Sequence, residues 1–180
     1  MKTTKNLLIA IAICVAFIFN SCEKAKVDIS FNLEVANIYL IADTTSQVGN
    51  IDLAATTFQS DLKAKLDENN ASIDDVESIT LTNAEILMIN PGLQNFDLVD
   101  KAYGLMSATG IAETQVCYLD PVPNGVTQVT MSTGDANLKE YLSQDIVNFR
   151  MTGTTNAPNL EPDSLEARLI FKIKAKINPL

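Results

Sequence analysis

Between Leu165 and Ile177 every second residue is apolar: Leu165, Ala167, Leu169, Phe171, Ile173, Ala175 and Ile177 alternate with Glu166, Arg168, Ile170, Lys172, Lys174 and Lys176. A helix would spread that apolar set around its circumference. A strand, whose side chains change face at each residue, gathers it on one side. A second run does the same, with Val27, Ile29, Phe31, Leu33 and Val35 alternating with Asp28, Ser30, Asn32 and Glu34. Its phase slips at Ala36-Asn37 and resumes with Ile38, Leu40 and Ala42, the pattern of a long strand carrying a bulge or passing between two sheets. Strands of this kind need a sheet with one dry face, so the chain is expected to be mainly β.

Between these runs the segments Val76–Ile89, Ala102–Thr109, Thr114–Leu119, Val126–Ser132 and Ile146–Thr152 read as further strands. Pro91-Gly92, Pro121, Pro123-Asn124-Gly125 and Pro158 to Pro162 punctuate them. The absence of a strand-helix-strand alternation favours a two-sheet antiparallel β-sandwich over a parallel sheet. One amphipathic helix is expected over about 52–68, where Ala54, Phe58, Leu62 and Leu66 recur at i+4 and Asp61 stands four residues before Lys65. Short helical turns are expected at Phe96–Lys101 and Asn137–Leu142, the second with Asp135 as its N-cap. No low-complexity linker interrupts the pattern, which predicts a single domain over 27–180.

The N-terminus has the layout of a secretory signal. Lys2 and Lys5 precede an unbroken apolar run of 13 residues, Leu7 to Phe19, too short for the roughly 20 residues that a membrane-spanning helix needs. Asn20-Ser21-Cys22 closes it and resembles the lipobox of bacterial lipoproteins, in the loose form found in the Bacteroidota. The tighter family pattern has Leu and a small residue where this chain has Phe19 and Asn20. The resemblance implies a signal peptide over 1–21, cleavage before Cys22, and glyceryl- and amide-linked acyl chains such as palmitate on Cys22, with 22–26 as tether. Glu23 in place of Asp implies the outer membrane. The mixed signs of Glu23-Lys24-Ala25-Lys26 favour a periplasm-facing domain over surface display.

A second resemblance covers about two thirds of the mature chain. The segment Val76 to Asn90-Pro91 is similar to the strand ending in Asn-Pro of the group 2 late-embryogenesis, water-stress β-sandwich domains, and Val122–Met131 and Leu138–Leu142 follow in similar order. The preceding helical segment is not part of that pattern. This likeness implies an immunoglobulin-like (Ig-like) sandwich with a non-catalytic role near membranes.

Composition narrows the chemistry. The chain carries 13 basic and 22 acidic residues, no histidine and no tryptophan, and loss of residues 1–21 would move the net charge from −9 to −11. Nucleic acid is a poor partner for such a surface. Without histidine, Ser-His-Asp and Cys-His nucleophiles and most zinc sites are excluded. Of the three cysteines, Cys14 leaves with the signal and Cys22 takes lipid, so Cys117 cannot form an intramolecular disulfide and reads as a buried apolar residue. Asp74-Asp75 reads as solvated surface beyond a helix end rather than a Ca²⁺ loop. Asp97 and Asp100 read as caps of a helical turn rather than a glycosidase pair. Asp163-Ser164-Leu165 resembles an O-glycosylation motif of exported Bacteroidota proteins, as does Asp43-Thr44-Thr45.

No catalytic residue, metal or cofactor is therefore expected. The chain reads as a lipid-anchored envelope protein with a non-enzymatic binding or structural role toward a protein or glycan. The alternatives are a lipid or small-ligand carrier with a cavity between sheets and, behind it, a carboxylate hydrolase. Arg168, Lys172, Lys174 and Lys176 form the one basic stripe. They either guard an edge or solvent-facing strand against unwanted pairing or contact an anionic partner.

Overall fold

The two alternating runs become the two longest strands, hydrogen-bonded to one another over nearly their whole length. The computed structural model describes residues 26–42, 48–89, 95–158 and 163–178; the signal segment, Cys22, Asp43–Thr45 and Pro91-Gly92 lie outside them. Strand β1 spans Val27–Ala42, β2 Gly49–Gln59, β3 Val76–Met88, β4 Val99–Ala108, β5 Ile111–Leu119, β6 Gln128–Thr133, β7 Ile146–Thr155 and β8 Asp163–Ile177. Helix α1 spans Leu62–Glu68 and α2 Lys139–Leu142, with 3₁₀ turns at Ile73–Asp75 and Phe96–Leu98.

All pairings are antiparallel, in the order β1-β8-β3-β6-β5-β4-β7-β2. The β5–β6 junction consists of two register pairs, Cys117 with Thr133 and Tyr118 with Ser132. The sheet is therefore two four-stranded halves on a narrow bridge. Four of the pairings, β1·β8, β2·β7, β3·β6 and β4·β5, nest within one another, as in a long hairpin rolled on itself.

The inward row of β8, from Leu165 to Ala175, is at most 4% exposed. It joins Ile79, Leu81 and Ile86 of β3 with Met106, Phe149 and Met151 of the other half in one contiguous apolar cluster. Burying a side chain of this size is worth about 1.5–3 kcal/mol, which is why the alternation dictates register: a slip of one residue would turn the whole row to solvent. The phase slip in β1 is a bulge between Val35 and Ile38, with Asn37 at φ 57°, a left-handed conformation that asparagine tolerates.

The expected helix over 52–68 is corrected. Residues through Gln59 are strand β2, and only Leu62–Glu68 is helical. A spacing of four is even, so Ala54 and Phe58 share a face in a strand as well as in a helix, and the β-branched Thr56-Thr57 favours the strand. Asp61 adopts φ 49° at the junction, and Leu62 and Leu66 then bury the face of α1. Lys65 pairs with Glu68 at 2.8 Å and Lys63 with Asp67 at 2.7 Å; Asp61 pairs with neither lysine. The turn at Phe96 is shorter than expected, since β4 begins at Val99. At α2 the N-cap position is Leu138, and the side chain that accepts there is that of Asn137, whose Oδ1 takes the Lys139 and Ile79 amides, rather than that of Asp135. Leu138 and Leu142 do point inward, both fully buried.

Two glycines record close packing between strands. A Cβ on Gly104 would collide with Cys117 Sγ and press on the Phe149 ring; one on Gly153 would collide with the Lys101 carbonyl oxygen. Gly104→Ala should cost about 1–3 kcal/mol of stability, and Cys117→Ala in the same chain should recover part of it by clearing the clash. Gly153→Ala meets backbone, so trimming one side chain cannot relieve it and its cost should be the larger. Urea unfolding of the four variants measures both statements. Strict additivity of the Gly104 and Cys117 changes would contradict the packing described.

Candidate functional site

β8 lies between β1 and β3 with both of its ladders filled, so the basic stripe does not stand on a free edge. The lysines therefore have no open edge of their own strand to guard. They occupy the solvent side of the half-sheet. Asp28, Ser30, Asn32 and Glu34 of β1 stand along one flank, and Glu77, Ser78, Thr80 and Glu85 of β3 along the other.

The four cations divide into two pairs. Lys176 binds Glu77 at 2.6 Å with Asp28 at 3.9 Å, and Arg168 binds Glu34 at 2.7 Å with Glu85 at 3.8 Å. Each is held charged by its hydrogen-bonded carboxylate first and by the surrounding charge second, and Arg168 holds the Glu34 carboxyl below its usual range. Lys172 and Lys174, between them, form no ion pair with the described residues. Their register neighbours are uncharged: Asn32 and Thr80 for Lys172, Ser30 and Ser78 for Lys174. The stripe thus holds a two-lysine window, bracketed by neutralised pairs and edged with hydroxyl and amide groups. Lys172, Lys174, Ser30, Asp28 and Glu77 line a shallow open depression of about 290 Å³.

The carboxylates considered for catalysis are occupied structurally. Asp97 Oδ1 accepts the Gly125 amide and Asp100 Oδ1 accepts from Asn156 Nδ2 at 2.9 Å, pinning the turn to neighbouring loops. The N-cap of that turn is Asn95, which accepts the Asp97 amide at 2.9 Å. Asp75 closes a capping box with Ser72, whose hydroxyl and amide hold the carboxyl below its ordinary range. Among the described residues, no group of three or more Cys, Asp or Glu side chains is arranged to hold a metal ion. Ser164 is exposed at the start of β8, opposite Ile41.

The other half-sheet carries a feature absent from the sequence reading. Tyr118, Tyr103, Thr152 and Asp52 are register neighbours across β5, β4, β7 and β2, in one outward row. The next row holds Lys101, Thr154 and Asn50. An open groove of about 740 Å³ runs over Asn50, Asp52, Lys101, Tyr103, Thr152 and Thr154. Both of its cations are matched by carboxylates. Lys101 binds Asp120 at 2.7 Å, and Arg150 bridges Asp52 and Glu113, holding the Glu113 carboxyl below its ordinary range. The tyrosine pair was hidden because β4 and β5 shift register twice. A regular hairpin about Thr109-Gly110 would have set Tyr103 against Val116.

No protein-family model matches the chain, and no curated protein matches it. Among solved structures, the infectious bursal disease virus VP2 subviral particle is similar at 8% identity and a TM-score of 0.37, over 86% of this chain and 34% of that one. The chain thus spans about a third of that protein. The virus-like particle of the giant freshwater prawn Macrobrachium rosenbergii nodavirus is similar at 12% identity and a TM-score of 0.33, over 89% of each chain. No functional property passes from these particles to this protein.

Cys117 is fully buried beside Met131 Sδ at 3.7 Å, and burial pushes its thiol up to about 12 from 9.0. The folded state thus favours the neutral thiol. Stability owed to it is complete below pH 9 and declines as pH rises from 9 toward 12, where the unfolded thiol ionises and the folded one does not. The stability advantage of the native chain over Cys117→Ala should therefore shrink across that range in urea titrations. The folded thiol should also resist alkylation at pH 8 and react fully once unfolded; rapid labelling of folded protein would contradict its burial.

Proposed function

We propose that the protein is a lipid-anchored component of the outer membrane with a non-enzymatic binding role, tethered through acyl chains on Cys22. Two or three acyl chains, at about 0.8 kcal/mol per buried methylene, make such an anchor effectively permanent. The observation that carries the reading is the register of β1 on β8. Val27, the first residue of β1, pairs with Ile177, followed by Asp28 with Lys176, Ser30 with Lys174 and Asn32 with Lys172. Four residues lie between Cys22 and Val27, so five residue steps give a reach of at most about 18 Å at 3.3–3.6 Å per residue. The end of the half-sheet bearing the basic stripe is therefore the end the anchor holds nearest the headgroups.

Lys172 and Lys174 are then the groups that meet anionic headgroups, at about 1 kcal/mol per lysine near a charged surface, while Lys176 and Arg168 are taken up by carboxylates of β1 and β3. That energy is too small to recruit a protein and enough to orient one already tethered.

The domain itself is read as a two-layer sandwich. Support comes from the single core shared by both half-sheets and from the nested pairings, an order that fits two Greek keys rolled together better than the Ig-like arrangement. The carrier reading is disfavoured because Phe149, Phe171, Met106, Met151 and Leu169 fill the shared interior.

Cys22→Ala should abolish acylation and membrane retention in fractionation, with the mass of the mature N-terminus reporting lipid directly. An unmodified native N-terminus would overturn the anchor. Lys172→Thr with Lys174→Thr should leave retention intact and remove the salt-sensitive component of the domain's contact with anionic vesicles. Unchanged contact would overturn the role given to the two lysines.

A further inference from the structure

We propose that the groove over strands β4, β7 and β2, with Tyr118 of β5 standing next to its lining residue Tyr103, binds a neutral oligosaccharide. The proposal rests on the reading of the domain as a binding module and names the ligand class at a face that the lysine window does not occupy.

Three features point to sugar. The first is the tyrosine pair itself. Tyr103 and Tyr118 stand opposite one another on the solvent side, and Tyr118 is 43% exposed. An aromatic ring offers a rigid apolar surface with little entropy to lose, and its hydroxyl serves as a polar handle. The apolar C–H face of a pyranose suits the former and its hydroxyls the latter.

The second is the row that continues from the pair. Tyr118, Tyr103, Thr152 and Asp52 cover three inter-strand spacings, about 14 Å, the length of a short oligosaccharide. Lys101, Thr154 and Asn50 flank it as a parallel bank of donors and acceptors. Thr154 and Asn50 are already oriented by their mutual hydrogen bond of 2.9 Å. The Thr152 hydroxyl, the Asn50 amide nitrogen and the two tyrosine hydroxyls take no side-chain hydrogen bond from the described residues. They remain available to a polyhydroxylated ligand. The groove is open along its length and so admits the interior of a chain as readily as an end.

The third is charge. Both cations here, Lys101 and Arg150, are already matched by Asp120, Asp52 and Glu113. Three carboxylates against two cations disfavour acidic glycans, nucleic acid and phosphorylated ligands, whereas a neutral sugar meets no such penalty. The alternative role for the tyrosines is cross-strand packing that only stabilises the sheet.

The test uses the full chain in detergent, titrated calorimetrically with cellohexaose, maltohexaose, xylohexaose and chitohexaose, with hexagalacturonate as the acidic comparison. At least one neutral hexasaccharide should bind. Tyr118→Ala and Tyr103→Ala should each weaken it by about tenfold or more, and Asn50→Ala should weaken it less; Tyr118→Phe, which keeps the ring and loses the hydroxyl, should weaken it less than Tyr118→Ala. Unchanged melting temperatures would show that these variants fold. Should a variant fail to fold, amide shift changes in the native protein decide: changes confined to the groove residues of β4, β7 and β2 and to the neighbouring Tyr118 support the site. Changes on the β1-β8-β3 face overturn it. It is equally overturned if no neutral hexasaccharide binds, if hexagalacturonate binds best, or if both alanine variants bind as the native chain does. None of these results bears on the mass of the N-terminus, so the site can fail while the anchor stands.

Discussion

The inward row of β8 is the constraint on which the remaining structure depends. Leu165, Ala167, Leu169, Phe171, Ile173 and Ala175 are buried between the flanking strands and the facing residues of the second half. Their burial fixes the register of β1 on one side and of β3 on the other. A period of two leaves no freedom for the opposite face. Once the apolar set is inward, Arg168, Lys172, Lys174 and Lys176 must all face solvent in a line. The basic stripe is thus a by-product of the core, and its chemistry is decided by what β1 and β3 place beside it.

Those neighbours make the stripe uneven. Carboxylates from Asp28 and Glu77 reach Lys176, and those from Glu34 and Glu85 reach Arg168, while serine, threonine and asparagine stand beside the two central lysines. Surface pairs of this kind add little stability, on the order of 0–1 kcal/mol each. Their consequence is instead spatial: along the stripe they leave Lys172 and Lys174 as the two cations without an ion pair among the described residues. The second half-sheet does the reverse, matching its cations and leaving Tyr118 and Asn50 exposed beside the half-buried Tyr103, Thr152 and Thr154. On the proposed reading, one fold thereby presents an anchor-proximal face suited to headgroups and another suited to an uncharged ligand.

What could be read in advance follows from how local each signal is. The alternation of β1 and β8 and the bulge at Ala36-Asn37 are written within single segments, and each appears where the pattern put it. The 52–68 segment misleads because a four-residue spacing belongs to both periods; the β-branched Thr56-Thr57 and the left-handed Asp61 decide it. Which strands adjoin is a non-local matter. Nothing within Leu165–Ile177 says that β1 and β3 will flank it, so guarding an edge remained open until the order was seen. The tyrosine pair was still less legible, because two register shifts stand between the Gly110 turn and its position. Cys117 was legible from Val116, Tyr118 and Leu119 around it, and its burial behind Gly104 agrees.

The central claim is that the anchor brings the β1-β8-β3 face to the headgroups and leaves the β5-β4-β7-β2 face free. Collisional quenching separates the two faces directly. With Cys22 acylated as proposed and Cys117 buried, a fluorophore can be placed on Ser30→Cys, beside Lys174, or on Gln115→Cys of β5. In vesicles containing anionic lipid and a headgroup-attached quencher, the lipidated protein should lose most of its emission at position 30 and little at position 115. The difference should narrow at high salt. Equal quenching at the two positions, or stronger quenching at 115, would contradict the account.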